Sequence, residues 1–172
     1  QEAYGLNTPE SKDYGRQCLT ARRLIERGVR FVQVFADVAK TPGGGVNDVP
    51  WDAHSDISVN HGMCGRSVDK PTGALLDDLK QRGLLDDTLV IYGGEFGRTS
   101  DSQGAKGRDH NPNAFTTWMA GGGVKGGTQY GASDTFGYKA VENRVSAHDL
   151  HATILKLMGF DHKKLTYRFN GR

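Results

Sequence analysis

The sequence predicts an α/β domain in which a mostly parallel sheet is sandwiched between helices. Three observations lead there. Amphipathic stretches alternate with short apolar runs in the order helix, strand, helix, strand, strand, helix. The runs VRFVQVFADV at 29–38 and TLVIY at 88–92 are apolar at nearly every position, as strands buried on both faces are. Polar, glycine-rich loops follow those runs, where ligands bind in open parallel sheets.

Taken in order, residues 1–10 are a polar lead-in. Ser11 is a candidate N-cap for a helix whose inward stripe (Cys18, Leu19, Ala21, Arg22, Leu24, Ile25) stops at Gly28. The 29–38 strand follows, then a long loop over 40–65 with Pro42, Pro50 and three consecutive glycines. A second helix is expected from Ser67 or Thr72 to Arg82, with Leu75, Leu76 and Leu79 inward and Gly83 closing it. The 88–92 strand leads into a polar loop over 93–113, long enough to suggest function. FTTWMA at 115–120 reads as a third strand, GGGVKGG at 121–127 as a turn, and Val141 to Val145 as extended. Ser146 caps a last helix from His148 to Met158, closed by Gly159.

Size and composition set the limits. The chain has 172 residues, 36% hydrophobic and 24% charged, enough for one domain with a core. The net charge of +2 is too balanced for a nucleic-acid footprint. Arg22-Arg23 and Lys163-Lys164 read as solvated faces. No window holds the ~18 apolar residues of a membrane span, and two cysteines make no disulfide framework. Residue 1 is Gln rather than Met, and nothing there resembles a signal peptide, so both ends read as cut.

Three polar clusters fall beside the expected strands: Trp51-Asp52-Ala53-His54-Ser55-Asp56, Gly93-Gly94-Glu95-Phe96-Gly97-Arg98-Thr99, and Gly107-Arg108-Asp109-His110-Asn111-Pro112. Imidazole with carboxylate suits Zn, Fe or Mn, and arginine suits an oxyanion such as phosphate or sulfate. Each cluster alone also reads as turn chemistry. The His148/His151 pair is a weaker ligand candidate, Cys18 is read as core, and Cys64 with His61 as a remote nucleophile candidate.

These residues carry a resemblance. VIYGGEFGRT resembles the strand and turn of the alkaline phosphatase and sulfatase superfamily, and SAHDLHATILKLMGF its closing block. WDAH, LLDDLKQRGLLDDTLVIYGGEFGRT, GRDHNP and AGGGVKGG resemble one bacterial sulfatase-like branch, domain of unknown function 1501. The resemblance implies an alkaline-phosphatase-like fold, here only part of the domain, as the C-terminal portion of a longer chain. It implies a metal site of Asp52, His54, Glu95 and His110, holding a divalent ion (Zn, Mn or Ca). Phe96 stands where the superfamily carries a ligand histidine, and the early pair is Asp-x-His rather than Asp-x-x-x-His. Arg98, and Arg108 with it, would supply positive charge to a substrate oxyanion. The nucleophile would lie in the N-terminal half of the same protein, which becomes a partner of this segment. The expectation is thus a metal-dependent hydrolase of phosphate or sulfate esters, inactive as this chain alone. The alternative is a non-catalytic binding or structural module. Neither involves nucleic acid, and the family resemblance implies a periplasmic or extracellular location.

Overall fold

A computed structural model of the chain describes residues 2–36, 51–102 and 104–171. Among them are three helices: α1 (Lys12–Glu26), α2 (Ile57–Gln81) and α3 (Ala147–Leu157). There are six short strands: β1 (Val90–Tyr92), β2 (Gly97–Arg98), β3 (His110–Asn111), β4 (Trp118–Ala120), β5 (Ala132–Ser133) and β6 (Ala140–Glu142). They form three separate antiparallel pairs, β1–β4, β2–β3 and β5–β6.

This overturns the expected parallel-sheet, alkaline-phosphatase-like sandwich. The 29–38 run shows why. Over residues 29–36 it joins no strand pair, and its side chains alternate: Val32, Val34 and Ala36 are half-buried, whereas Phe31 and Phe35 are 76% and 68% exposed. One face packs, not two. Apolar composition alone cannot separate a strand buried on both faces from an extended segment with one face in solvent. The second long run pairs within its own neighbourhood, Val90 opposite Ala120 and Tyr92 opposite Trp118. Tyr92 and Trp118 stack at 5.4 Å. The end of the first run and the first part of the 40–65 loop (residues 37–50) lie outside the described residues, and from Ile57 onward the expected loop is helix.

The helices form much as their capping signals predict. α1 ends at Arg27, with Gly28 at φ +84° donating its N–H to the Ile25 carbonyl. Ser11 makes no side-chain cap; its hydroxyl donates to the Gly5 carbonyl instead. α3 carries a complete capping box between Ser146 and Asp149. α2 departs most from expectation, starting ten or more residues before Ser67 or Thr72. Its N-cap is Asp56, whose carboxylate accepts from Ser58 N and Val59 N. Gly62, Gly65 and Pro71 mask this helix in the sequence. Its buried stripe is Asn60, Cys64, Ser67, Val68, Pro71 and Leu79, mostly small or polar groups that carry no hydrophobic periodicity.

α1 and α2 lie side by side and run in the same direction, since Tyr14–Thr72, Arg22–Asp78 and Glu26–Arg82 advance together. Tyr4, Tyr14, Cys18, Leu19 and Val68 form the core cluster, covered by Val34, Ala36, Trp51, Leu75 and Tyr92 among others. Gly15 lets the N-terminal segment close over α1: a Cβ there would collide with the Tyr4 carbonyl. Arg22 is not on a solvated face. It is buried between Asp78 (Nε to Oδ2, 2.8 Å) and Glu26 (Nη1 to Oε2, 2.6 Å). Asp78 also accepts from the Tyr4 hydroxyl at 2.8 Å and from Arg82 Nε at 2.6 Å. This network ties the N-terminal segment, α1 and α2 together. Lys163 and Lys164 are exposed, as read. Among the described residues, no helix is long and apolar enough to cross a membrane.

Candidate metal centre

The site is built from two stretches of chain laid against each other. Ahead of α2, Ala53 is buried and points into the protein, while Asp52 and His54 flank it. A tight turn, with His54 N–H donating to the Asp52 carbonyl at 3.0 Å, brings their side chains together. The Asp-x-His spacing is therefore sufficient to place both groups at one point. The second stretch is the β2–β3 pair, which occupies the expected polar loop over 93–113. Arg98 pairs with His110 there, so their side chains share a face. Phe96, just before β2, also lies against His110. Main-chain hydrogen bonds join the stretches, from Arg108 N to Ala53 O at 2.9 Å and from Ile57 N to Lys106 O at 3.2 Å.

Three candidate ligand atoms converge as a result. Asp52 Oδ1 lies 2.7 Å from His54 Nε2 and 2.9 Å from His110 Nε2, and the two ring nitrogens are 3.1 Å apart. Asp52, His54 and His110 form a group able to hold a metal ion. The Asp52 edges are hydrogen-bond lengths, and the three atoms also lie close enough together to share one ion. Each ring N–H has one direction along which it bonds well, yet each nitrogen faces two partners at ~60° to one another. Three lone pairs aimed at one cation meet no such conflict. Two imidazoles with one carboxylate would suit Fe, Mn or Zn.

The surroundings hold the carboxylate ionised. A hydrogen bond from His110 is the main reason that the Asp52 carboxyl lies below the usual range; partial desolvation opposes it, and Arg98 and the charge of His54 add to it. Arg98 Nη2 donates to Asp52 Oδ1 at 3.0 Å and to the Trp51 carbonyl at 2.8 Å, and Nη1 to the Arg108 carbonyl at 3.3 Å. Trp51 anchors the loop through Nε1 to the Ala36 carbonyl at 2.7 Å, and His61 sits edge-on to its ring. Phe96 stacks on His110 with ring centres 4.2 Å apart and planes at 26°.

The structure thus brings together Asp52, His54 and His110 from the expected ligand set. Glu95 is exposed on the turn before β2, outside that cluster. Arg98 turns its guanidinium onto Asp52 and carbonyl oxygens. Arg108 turns its Nη1 onto Gly107 O, Lys106 O and Ser102 Oγ. A cleft of about 510 Å³ lies at the other end of the joined stretches, lined by Asp56, Ile57, Ser58, Ser102, Lys106 and Arg108. Cys64 sits inside α2, fully buried, its thiol pushed up to about 11 by burial, which suits a core group rather than a nucleophile. Cys18 is core, as read. His148 and His151 are exposed on α3. Trp51 and Phe96 are the site residues that sequence reasoning missed as supports. The available signal was position: Trp51 adjoins Asp52, and Phe96 lies two residues from Arg98.

A family model described as "Protein of unknown function (DUF1501)" matches residues 1–172, and the chain belongs to that family. No curated protein and no solved structure matches it.

Proposed function

We propose that this DUF1501 chain is the metal-holding part of a metal-dependent hydrolase of the phosphatase/sulfatase type, acting on phosphate or sulfate esters. The observation that carries the reading is the mutual approach of Asp52 Oδ1, His54 Nε2 and His110 Nε2 within 3.1 Å. A divalent ion held there supplies a Lewis acid for an ester oxygen and lowers the pKa of a bound water. The chain's own residues supply the rest. Asp52 and the two imidazoles hold the ion. Arg98 keeps the carboxylate in place, and its charge offsets that of Asp52, so the loaded site favours an anionic ester. The nucleophile comes from the N-terminal half of the same protein, and its setting is periplasmic or extracellular; both follow from the motif resemblance.

The test begins with metal. Protein stripped with chelator and refilled with Zn or Mn takes up one equivalent per chain, and His54→Ala and His110→Ala each lose it. The whole protein then hydrolyses members of an aryl phosphate and sulfate panel. Unchanged metal content in both variants sinks the reading. One observation favours a second reading, a non-catalytic binding module: Phe96 stands where the superfamily carries a ligand. A whole protein that takes up metal yet hydrolyses nothing supports that alternative.

A further inference from the structure

A metal-bound imidazole usually donates its second ring nitrogen to a carboxylate or carbonyl, which sets the ring's rotation. Among the described residues nothing hydrogen-bonds Nδ1 of His110; its side-chain bonds run through Nε2 alone. Yet the side chain is 42% exposed, so packing on all sides does not hold it either. What lies against it is Phe96, stacked over the imidazole face at 4.2 Å. We infer that Phe96 is a positioning residue for His110: its ring, rather than a second-nitrogen hydrogen bond, keeps Nε2 aimed at Asp52. This inference rests on the metal reading above.

The division of contacts makes the assignment specific. Arg98 sits opposite His110 and Phe96 packs on its ring, and each secures a different ligand. Phe96 covers the imidazole, while Arg98, itself held by the Trp51 carbonyl, grips Asp52 Oδ1. Arg98 Cζ lies 5.8 Å from the Phe96 ring centre, so the two supports also touch one another. An aromatic residue at 96 then serves a three-ligand site instead of marking a lost one.

The experiment compares wild type with Phe96→Ala and Phe96→Tyr, using Co(II) as the probe and its visible spectrum as the readout. Folding is checked by circular dichroism. Phe96→Ala weakens Co(II) binding 10–100-fold, the usual effect of losing a residue that orients a ligand, and Phe96→Tyr restores it. In metal-free protein the His110 ring protons resonate upfield in wild type and Phe96→Tyr, and the shift vanishes in Phe96→Ala. Folded Phe96→Ala that binds Co(II) as wild type does, or lacks the proton shift change, overturns the inference alone. A wild type that takes up no Co(II) overturns the metal reading and the inference with it.

Discussion

Replacing Asp78 by Ala removes the group on which Tyr4, Arg22 and Arg82 converge. Arg22 bears most of the consequence, because its side chain is 8% exposed and its Nε faces Asp78 at 2.8 Å. Removing one partner of a fully buried pair costs ~3–5 kcal/mol. Arg22 keeps Glu26 at 2.6 Å, and the Asp78 side chain is 20% exposed, so this part falls to about 2 kcal/mol. Tyr4, nearly buried, loses the acceptor of its hydroxyl, which costs about 1 kcal/mol more. Arg82 is exposed and adds direction more than energy. The total of about 3 kcal/mol corresponds to ~6–12 °C in Tm for a chain of this size. Urea unfolding at pH 7 followed by circular dichroism measures it, with exposed Asp77→Ala as control, expected within ~0.5 kcal/mol of wild type. A change of under about 1 kcal/mol for Asp78→Ala would refute the view that this network clamps α1 to α2. Acid supplies a second check. Burial pushes the Asp78 carboxyl up, but hydrogen bonds from Arg82 and Tyr4 and the charges of both arginines outweigh it, leaving it below its ordinary value of 3.8. A folded-state value below the unfolded one gives stability that is complete above the unfolded value. That stability is lost as pH falls through the folded one. The gap between wild type and Asp78→Ala therefore narrows below about pH 4; a gap that widens in acid contradicts the assignment.

Two further outcomes follow from burial and backbone shape. Cys18 and Cys64 are both buried, with thiols raised to about 11 by desolvation, so an aromatic disulfide reagent at pH 8 labels neither until urea unfolds the chain; rapid labelling of native protein would contradict this. Gly122 sits at φ +55°, and a Cβ there would lie 2.7 Å from Leu89 Cβ and 2.8 Å from its backbone. Gly122→Ala therefore loses ~2 kcal/mol in a urea melt, whereas Gly126→Ala, with open space around it, stays within ~0.5 kcal/mol; equal effects would show that the GGGVKGG turn is not pressed against 85–89.

The parts legible in the sequence are those with local causes. Gly28, Gly83 and Gly159 mark helix ends because positive φ suits them, and the Ser146/Asp149 box marks a start, all within a few residues. The strand near 88–92, the strand near 115–120 and the turn at 121–127 were readable for the same reason. The early half of α2 was not. Its buried face uses Asn60, Cys64 and Ser67, which bury well against α1 and its neighbours but leave no apolar period to read. Arg22 likewise looks like surface by its charge and is buried in fact, because that charge meets Asp78 of α2 and Glu26 one turn on in α1.

For the site, the sequence alone determined the chemistry on offer: Asp52, His54 and His110 as ligand types, with arginines beside them. Only the tertiary structure decided that these three meet within 3.1 Å and that Glu95 stays outside them. It also turned Arg98 toward the carboxylate and set Phe96 against the imidazole. Side-chain type is a property of each residue and survives in a string of letters. Pairing partner, strand direction and the meeting of groups 56 or 58 positions apart depend on which surfaces exclude water together, and that is settled only when the chain folds.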